Sequence, residues 1–308
     1  MARIGDMSKK VFVIGCSGQI GSRLTILLLK YGFVVHGVSG SKPCTIDDKN
    51  HFCRRIDLLN STTPLNLGEF KPDIMVHTAW VTSPGVFWES TINYDWVKAS
   101  KKIIQEFKQS GGKYLVVTST CAEYSWESTQ PLSEISEASP KSNYGKSKLE
   151  LLNWVSSTKI PFLWTRTFFQ FGLNEPNGRI IPSLVDSLLA GKKFEVRNPN
   201  DTRDFIYIKD VAEVLNTLIC KEQLGIINIG TGYGSEIRSI AKLIADQIGG
   251  KDLVTYCKSE QPTSTVVSNP SKLLSVISNY SWTSIDKAIT ETVEARSRSN
   301  FESHSNTK

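Results

Sequence analysis

Two ionisable side chains stand one helical turn apart in the middle of the sequence, where the segment YGKSK contains Tyr144 and Lys148. A separation of four residues puts both side chains on the same face of a helix. A free tyrosine has a pKa near ~10, and a neighbouring ammonium lowers it by stabilising the phenolate. The pair is therefore expected to give or take a proton near neutral pH. The alternative is a pair that merely decorates the surface.

A hydroxyl group that could orient a substrate oxygen is offered by Thr120, which follows Ser119 at the end of the apolar segment 114–118. The segment has the length and composition of a buried strand. Ligands of open α/β sheets bind at the carboxyl ends of the strands. We therefore expect one of these two hydroxyls to lie beside Tyr144 and Lys148.

A glycine-rich loop, GCSGQIG over residues 15–21, follows the short apolar run 11–14 and precedes a helical pattern. Its glycines let the backbone approach a pyrophosphate, and the helix N-terminus offers free N–H groups to the phosphates. The strand–loop–helix order favours a dinucleotide site over an ordinary tight turn. The predicted cofactor contacts of this loop are Gly15, Ser17, Gly18, Gln19, Ile20 and Gly21.

The cofactor type depends on the end of the second predicted strand. An acidic residue about 20 positions beyond the loop usually holds the adenosine ribose of NAD, but residues 22–46 contain no Asp or Glu. Ser39 and Lys42 stand there instead and could bind a 2′-phosphate, which a carboxylate would repel. NADP(H) is therefore preferred. NAD(H) is the alternative if Lys42 is only a solvated loop lysine.

Alternating strand and helix patterns predict an α/β fold, a doubly wound parallel (Rossmann) sheet with a smaller C-terminal α/β substrate domain. The dinucleotide domain is expected over residues 9–171, with a return at 205–230. The smaller substrate domain would take residues 172–204 and 231–293. Residues 294–308 are polar and are expected to be disordered.

Composition excludes several classes of protein. Of 308 residues, 40% are hydrophobic and 21% are charged, which is ordinary for a globular chain. No apolar run is long enough to span a membrane, and the first residues lack the apolar middle of a secretion signal. The net charge of +6 comes without a Lys/Arg block, so no nucleic-acid partner is expected. The spacing of four histidines and six cysteines predicts no metal site, and reduced thiols in the cytoplasm are expected.

These motifs together resemble the extended short-chain dehydrogenases/reductases, specifically their nucleotide-sugar epimerase/dehydratase/reductase group. The resemblance covers about residues 10–282. Its motifs are the loop 15–21, HTA at 77–79, Asn93, Ser119 with Thr120, Tyr144 with Lys148, RDFIY at 203–207 and NIGTG at 228–232. The resemblance implies a nucleoside-diphosphate sugar as substrate and a homodimer built through helices 94–110 and the helix of Tyr144.

The resemblance also implies roles for individual cofactor-binding residues. Asp57, next to Leu58, would contact the adenine amino group, although a turn or cap residue is an equal interpretation. Lys148 would hold the nicotinamide ribose beside Tyr144. The residues that would line the nicotinamide side are His77, Thr78, Ala79 and Thr118. The ring of His77 could equally be a satisfied core histidine.

The resemblance gives Thr120 the place of the family's catalytic Ser/Thr, with Tyr144 and Lys148. On the substrate side, it implies contacts from Thr82, Thr120, Arg203 and Tyr207. Arg203 would grip the diphosphate, because the planar guanidinium binds phosphate oxygens well. An ion pair of Arg203 with Asp204 or Asp210 is the structural alternative.

The resemblance leaves the reaction to be chosen. The dehydratase branch looks like Thr-Asp-Glu at the strand end, whereas this chain has Thr120, Cys121 and Ala122, which argues against a 4,6-dehydratase. With no acid after the second strand, we expect NAD(P)H-dependent reduction of the C4 keto group of a nucleotide-linked 4-keto-6-deoxy sugar. One alternative is an NAD-dependent 4-epimerase. A non-catalytic dinucleotide-sensing scaffold is disfavoured, because such proteins commonly lose the tyrosine or the lysine.

Overall fold

The computed structural model describes residues 9–40, 42–258 and 262–305, with side chains described as far as residue 298. The strands in chain order are β1 (Lys10–Ile14), β2 (Val34–Ser39), β3 (His51–Arg55), β4 (Ile74–His77), β5 (Tyr114–Thr120), β6 (Phe162–Thr167), β7 (Phe169–Phe171), β8 (Phe194–Val196), β9 (Thr202–Arg203), β10 (Phe205–Tyr207), β11 (Gly225–Ile229), β12 (Ser235–Glu236), β13 (Val254–Tyr256) and β14 (Thr265–Val266).

The helices are α1 (Gln19–Lys30), α2 (Leu67–Phe70), α3 (Ile92–Gln109), α4 (Asn143–Ser157), α5 (Ile180–Leu189), α6 (Ile208–Cys220), α7 (Ile237–Ile248), α8 (Ser271–Ile277) and α9 (Ile285–Ser305). Single 3₁₀ turns cover Cys121–Glu123 and Lys251–Leu253. No helix among the described residues is both long and apolar enough to cross a membrane.

Seven parallel strands form the main sheet in the order β3-β2-β1-β4-β5-β6-β11. Strands β4 and β5 are buried along their whole length, as a sheet covered by helices on both faces requires. The chain reverses its direction of winding between β1 and β4, and the carboxyl ends of these strands are the usual ligand site. The predicted doubly wound α/β fold is confirmed.

Apolar layers cover both faces of this sheet. On one face, β1 and β5 residues such as Phe12 and Val117 pack against α3 and α4. On the other face, α1 and α6 cover the sheet, and the same apolar layer continues into α5, α7 and α9 through residues such as Leu184, Ile244 and Ile289. The C-terminal region therefore shares a continuous core with the dinucleotide-binding region, and β11 places residues 225–229 within the main sheet.

Short sheets in the C-terminal region are joined through the carboxylate of Asp204, which lies fully buried between β9 and β10. Its oxygens accept hydrogen bonds from the backbone N–H groups of Thr231 (2.9 Å), Gly232 (3.0 Å) and Ser268 (3.1 Å). The hydroxyls of Thr231 and Ser268 also donate to it. A single charged group thus connects three segments of the chain, which explains how strands of only two or three residues keep their places.

The end of the chain differs from expectation. Disorder was expected over residues 294–308, but α9 continues to Ser305, so the expectation is wrong for 294–305; residues 306–308 lie outside the described part. The side chain of Arg296 donates to Asp186 Oδ1 (2.7 Å) and to the carbonyl of Glu175 (3.2 Å). A polar helix is thus held by a specific ion pair, which mean hydropathy does not reveal.

Helix α4 comes unusually close to the turn after β5. Ser142 caps the helix by accepting a hydrogen bond from the N–H of Gly145 at 3.1 Å. A Cβ atom at Gly145 would lie 2.2 Å from the carbonyl oxygen of Ala122 and 2.7 Å from Pro140 Cβ. Only glycine therefore allows this approach, which holds the first turn of α4, and with it Tyr144, against the end of β5.

Replacing Gly145 with alanine is expected to destabilise the protein by about 1–3 kcal/mol, the usual cost of overpacking. The added methyl would push Tyr144 away from Thr120. The measurement is denaturant unfolding with Gly68→Ala as the matched control. No described atom lies within 4 Å of a Cβ built at Gly68, in helix α2, so this change should be neutral or stabilising by up to ~1 kcal/mol. Equal stabilities of the two variants would contradict this account of α4.

Candidate functional site

The glycine loop packs tightly against the end of β4. Gly15 has φ +86°, and a Cβ there would lie 2.8 Å from the backbone nitrogen of Ala79. A Cβ at Gly21 would lie 2.1 Å from the carbonyl oxygen of Gly15. The hydroxyl of Thr78 donates to the carbonyl of Ile14 at 2.8 Å and ties the loop to the adjacent strand. Both glycines are thus required by close contacts.

The amino end of α1 is open to a ligand. Gly18 is the N-cap residue of α1. Among the described residues, no side chain caps this end of the helix, and the first turn of α1 contains no acidic residue. Ser17, Gln19 and Ile20 are partly exposed around it. Free N–H groups and the positive end of the helix dipole suit a phosphate group. The predicted loop contacts therefore come together at one surface.

The end of β2 differs in detail from expectation. Ser39 is 1% exposed and lies beside the Cys53 thiol, so it is not open to the solvent where a 2′-phosphate would lie. Lys42 is exposed, as expected. Arg55 was not predicted: it pairs with Ser39 in the sheet register and its Nε donates to the carbonyl of Gly40 at 3.1 Å. Only strand pairing brings this second cation to the end of β2.

Two residues with predicted cofactor roles have structural partners. Asp57 is exposed and accepts hydrogen bonds from the Leu59 N–H and the Asn60 amide, which hold the pKa of its carboxyl below the usual range. It is therefore at least a turn residue, beside the partly buried Leu58. His77 is fully buried with Nε2 2.9 Å from the Ser100 hydroxyl. Burial, with the charge of Lys148, lowers its pKa to about 3. Its ring is thus a core histidine.

Tyr144 and Thr120 come together as predicted, because the Thr120 hydroxyl lies close enough to the phenol to lower its pKa. The Thr120 oxygen also accepts from the Ala122 N–H at 3.1 Å. The rings of Phe87 and Trp88 pack edge-on against the phenol ring, with centroids 5.0 and 5.7 Å away. Burial raises the pKa of Tyr144 to about 12, although the neighbouring Thr120 hydroxyl and the charge of Arg179 oppose this rise.

Lys148 does not act on Tyr144 as expected. Its Nζ donates to the carbonyl of Thr118 at 3.1 Å and lies 3.7 Å from the ring centroid of Trp80. Burial lowers the pKa of Lys148 to about 7, against the favourable charge of Glu123. The expected lowering of the Tyr144 pKa is therefore wrong. Burial removes the hydration that stabilises a phenolate, and the nearby cations stabilise it by less than that amount. The structure presents a protonated phenol.

Glu123 was missed by sequence reasoning. Its carboxylate is fully buried and accepts hydrogen bonds from Trp164 Nε1 (2.9 Å), Arg166 Nε (2.8 Å) and the Ser119 hydroxyl. Both oxygens are thus occupied. The signal that could have found the pair is Arg166, a charged residue inside the otherwise uncharged strand segment FLWTRT.

The predicted substrate contacts are engaged within the protein. Arg203 pairs with Asp201 at 2.7 Å, rather than with either acid considered from the sequence, and also donates to the carbonyl of Ser264 at 2.7 Å. The hydroxyl of Tyr207 donates to Glu291 at 2.7 Å. These two positions therefore have structural partners, whereas Thr82 lies partly buried on the loop after β4.

Arg179 is a second residue that the sequence did not single out. It is partly buried, directly precedes α5, and lies close enough to Tyr144 for its charge to lower the phenol pKa. No sequence motif identifies Arg179, because only the folding of the chain brings residue 179 near Tyr144.

Comparisons with known proteins find chains of similar sequence and fold. The chain is 26% identical over 290 residues to UDP-glucose 4-epimerase from Yersinia enterocolitica, covering 82% of this chain and 86% of that one. It is 23% identical over 270 residues to dTDP-D-glucose 4,6-dehydratase from Dictyostelium discoideum, covering 77% of this chain and 61% of that relative, so it spans less than two thirds of that protein's length.

The fold is shared with dTDP-glucose 4,6-dehydratase from Bacillus anthracis, solved in complex with NAD, at a TM-score of 0.81 and 19% identity over 94% of this chain and 97% of that one. The sequence model of the NAD dependent epimerase/dehydratase family matches residues 11–230, well over half of the chain. This span includes the glycine loop, Thr120 and the Tyr144–Lys148 helix. The chain therefore belongs to the NAD dependent epimerase/dehydratase family.

Proposed function

We propose that the protein reduces the C4 keto group of a nucleotide-linked 4-keto-6-deoxy sugar with a hydride from NAD(P)H. A bound reduced nicotinamide would supply the hydride, and Tyr144 would give its phenolic proton to the C4 oxygen. The observation that carries the proposal is the position of Tyr144, which lies beside Thr120 between the rings of Phe87 and Trp88, where burial keeps its phenol protonated by raising its pKa to about 12. Reduction needs a proton donor at this position, whereas oxidation at C4 needs a base.

The strand end argues against dehydration, although two of the compared proteins are 4,6-dehydratases. Elimination of water needs an acid to protonate the leaving hydroxyl. Glu123 is the only carboxylic acid in segment 120–124, and its oxygens are occupied by Trp164 and Arg166 as well as by Ser119. Reduction requires no such acid.

The match to a UDP-glucose 4-epimerase supports a second candidate, an NAD-dependent 4-epimerase of a nucleotide sugar. Such an enzyme would oxidise C4 first and return the hydride to the same carbon. It would keep its cofactor bound, with no net oxidation. Tyr144 would have to begin the cycle as a base, which its raised pKa disfavours.

Arg179 is our candidate for the cation that holds the substrate diphosphate. Its charge reaches Tyr144, and it is partly exposed. Arg203, the residue expected from the family resemblance, would first have to give up its contacts with Asp201 and Ser264. We also propose that the protein is a homodimer through α3 and α4.

For the cofactor we propose NADPH, with NADH as the second choice. Lys42 and Arg55 provide two exposed cations at the end of β2, and residues 22–46 contain no carboxylate that would repel a 2′-phosphate. The compared structure that holds NAD supports the alternative.

The proposal predicts net oxidation of NADPH when the purified protein is given nucleoside-diphosphate 4-keto-6-deoxyhexoses. Absorbance would follow the nicotinamide, and mass spectrometry should find a sugar product heavier by one hydride and one proton. A nucleotide sugar that already carries a C4 hydroxyl is the matched control and should cause no oxidation. If the protein instead holds NAD tightly and interconverts C4 epimers without net oxidation of the cofactor, the reductase proposal is wrong and the protein is an epimerase.

Tyr144→Phe is expected to lower kcat by about 10²–10⁴-fold, because the proton donor is lost, while cofactor affinity is nearly unchanged. Tyr31→Phe removes a tyrosine hydroxyl at the end of α1 and should leave kcat unaltered. For the wild type, the chemical step should be level between about pH 8 and pH 10, above the Lys148 pKa of about 7 and below the Tyr144 pKa of about 12. A tenfold rise per pH unit would instead indicate a phenolate base.

The cofactor choice can be tested with the double variant Lys42→Ser, Arg55→Ser. Loss of two charge-assisted contacts to a 2′-phosphate should raise KM for NADPH by roughly 10-fold or more. NADH lacks this phosphate and serves as the internal control, with KM expected within about 2-fold of the wild-type value. An equal rise for both cofactors would show that these cations do not select the phosphate.

A further inference from the structure

Three cysteines that are separated in the sequence come together beneath the glycine loop. Cys16 belongs to that loop, Cys44 follows β2, and Cys53 lies in β3. Their sulfur atoms all lie within 4.8 Å of one another, and the Sγ atoms of Cys16 and Cys53 are 3.2 Å apart. All three are free thiols. Cys16 is buried and the other two are half-buried, so the cluster is largely protected from solvent but still accessible to it.

His51 offers a nitrogen beside this cluster. Its Nε2 lies 3.8 Å from Cys44 Sγ, and its Nδ1 lies 3.1 Å from the carbonyl oxygen of Ile46. Because a carbonyl can only accept, Nδ1 carries the proton and Nε2 keeps its lone pair. A hydrogen bond from the second ring nitrogen to a backbone carbonyl is how metal-binding histidines are usually oriented.

The distances between the three sulfur atoms suit a shared metal ion, and the His51 ring, which contacts only Cys44 of the three, would turn toward that ion. A Cβ at Gly37 would stand 2.6 Å from Cys16 Sγ and 3.6 Å from His51 Nε2, so only glycine leaves the space between these groups open. Zinc–sulfur bonds of about 2.3 Å in a tetrahedron place neighbouring sulfurs about 3.8 Å apart. The separations of up to 4.8 Å bracket that value, and small side-chain rotations would close them on an ion.

We propose that Cys16, Cys44 and Cys53 bind one Zn²⁺ ion, with His51 completing a tetrahedral site. Thiolate and imidazole ligands suit zinc, whereas calcium and magnesium prefer oxygen. Four protein ligands leave no position for substrate, so the role is structural. This site is independent of the reaction proposed above.

The position of the site gives the ion a specific task. The described residues between 40 and 50 form no helix or strand, and they carry Lys42 at the adenosine end of the dinucleotide site. Cys44 would tie this segment to the glycine loop through Cys16 and to β3 through Cys53. Zinc would therefore order the surface on which the adenosine half of the cofactor rests.

The first test is the zinc content of the full chain, purified with reductant and without chelator and then dialysed against a small excess of Zn²⁺. About one ion per chain is expected for the wild type. Cys44→Ser and Cys53→Ser should each lose it, with affinity falling by more than the ~10–100-fold typical of outer-shell changes. The matched control is Cys220→Ser, a half-buried cysteine of α6, which should keep its zinc. A wild type without zinc, or equal zinc in all four proteins, would overturn the proposal.

Cobalt gives a second measurement on the wild type that does not depend on the folding of cysteine variants. Co²⁺ in the site should show thiolate charge-transfer bands and the visible bands of tetrahedral cobalt. His51→Ala should keep the charge-transfer bands and shift the visible ones. If the wild type shows neither the charge-transfer bands nor the visible bands, and mass spectrometry finds a disulfide between Cys16 and Cys53, the cluster undergoes thiol oxidation and does not bind metal.

Discussion

The buried ion pair between Glu123 and Arg166 is the interaction on which the site depends. It joins the turn after β5 to β6, and the side chains are only 0% and 3% exposed. Removal of either partner would leave an unpaired charge in the core, at a cost of about 3–5 kcal/mol. The same carboxylate holds the Ser119 hydroxyl, next to Thr120, and its charge acts on Lys148. The catalytic side chains are thus arranged around a charge that takes no part in the reaction we propose.

Close backbone contacts complete the arrangement. Glycine at 145 lets α4 lie against Ala122, and glycine at 15 and 21 lets the loop lie against the end of β4. The first contact brings Tyr144 to Thr120, and the second exposes the amino end of α1. The Tyr144 phenol and the amino end of α1 therefore lie at the carboxyl edge of one sheet, as the reaction we propose requires.

Sequence patterns predicted the sheet, the glycine loop and the Thr120–Tyr144 contact, because these depend on local periodicity and on strand order. They did not predict quantities set by the surroundings. The pKa of Tyr144 depends on burial between Phe87 and Trp88, and the partner of Arg203 is decided by a short strand pairing. The cysteine cluster was not predicted, because residues 16, 44 and 53 come together only when β2 and β3 pair.

The lowered pKa of Lys148 links proton binding to stability and to the binding of any ligand that contacts its amine. This pKa falls from about 10.5 in an unfolded chain to about 7 in the fold. Between these two pH values the lysine is therefore protonated in the unfolded chain and neutral in the folded one. Its contribution to the free energy of unfolding therefore grows more favourable as the pH rises from about 7 to 10.5. A ligand oxygen that accepts a hydrogen bond from Nζ would favour the charged amine. Binding of such a ligand near neutral pH would draw a proton from the buffer, so its affinity would weaken as the solution becomes alkaline.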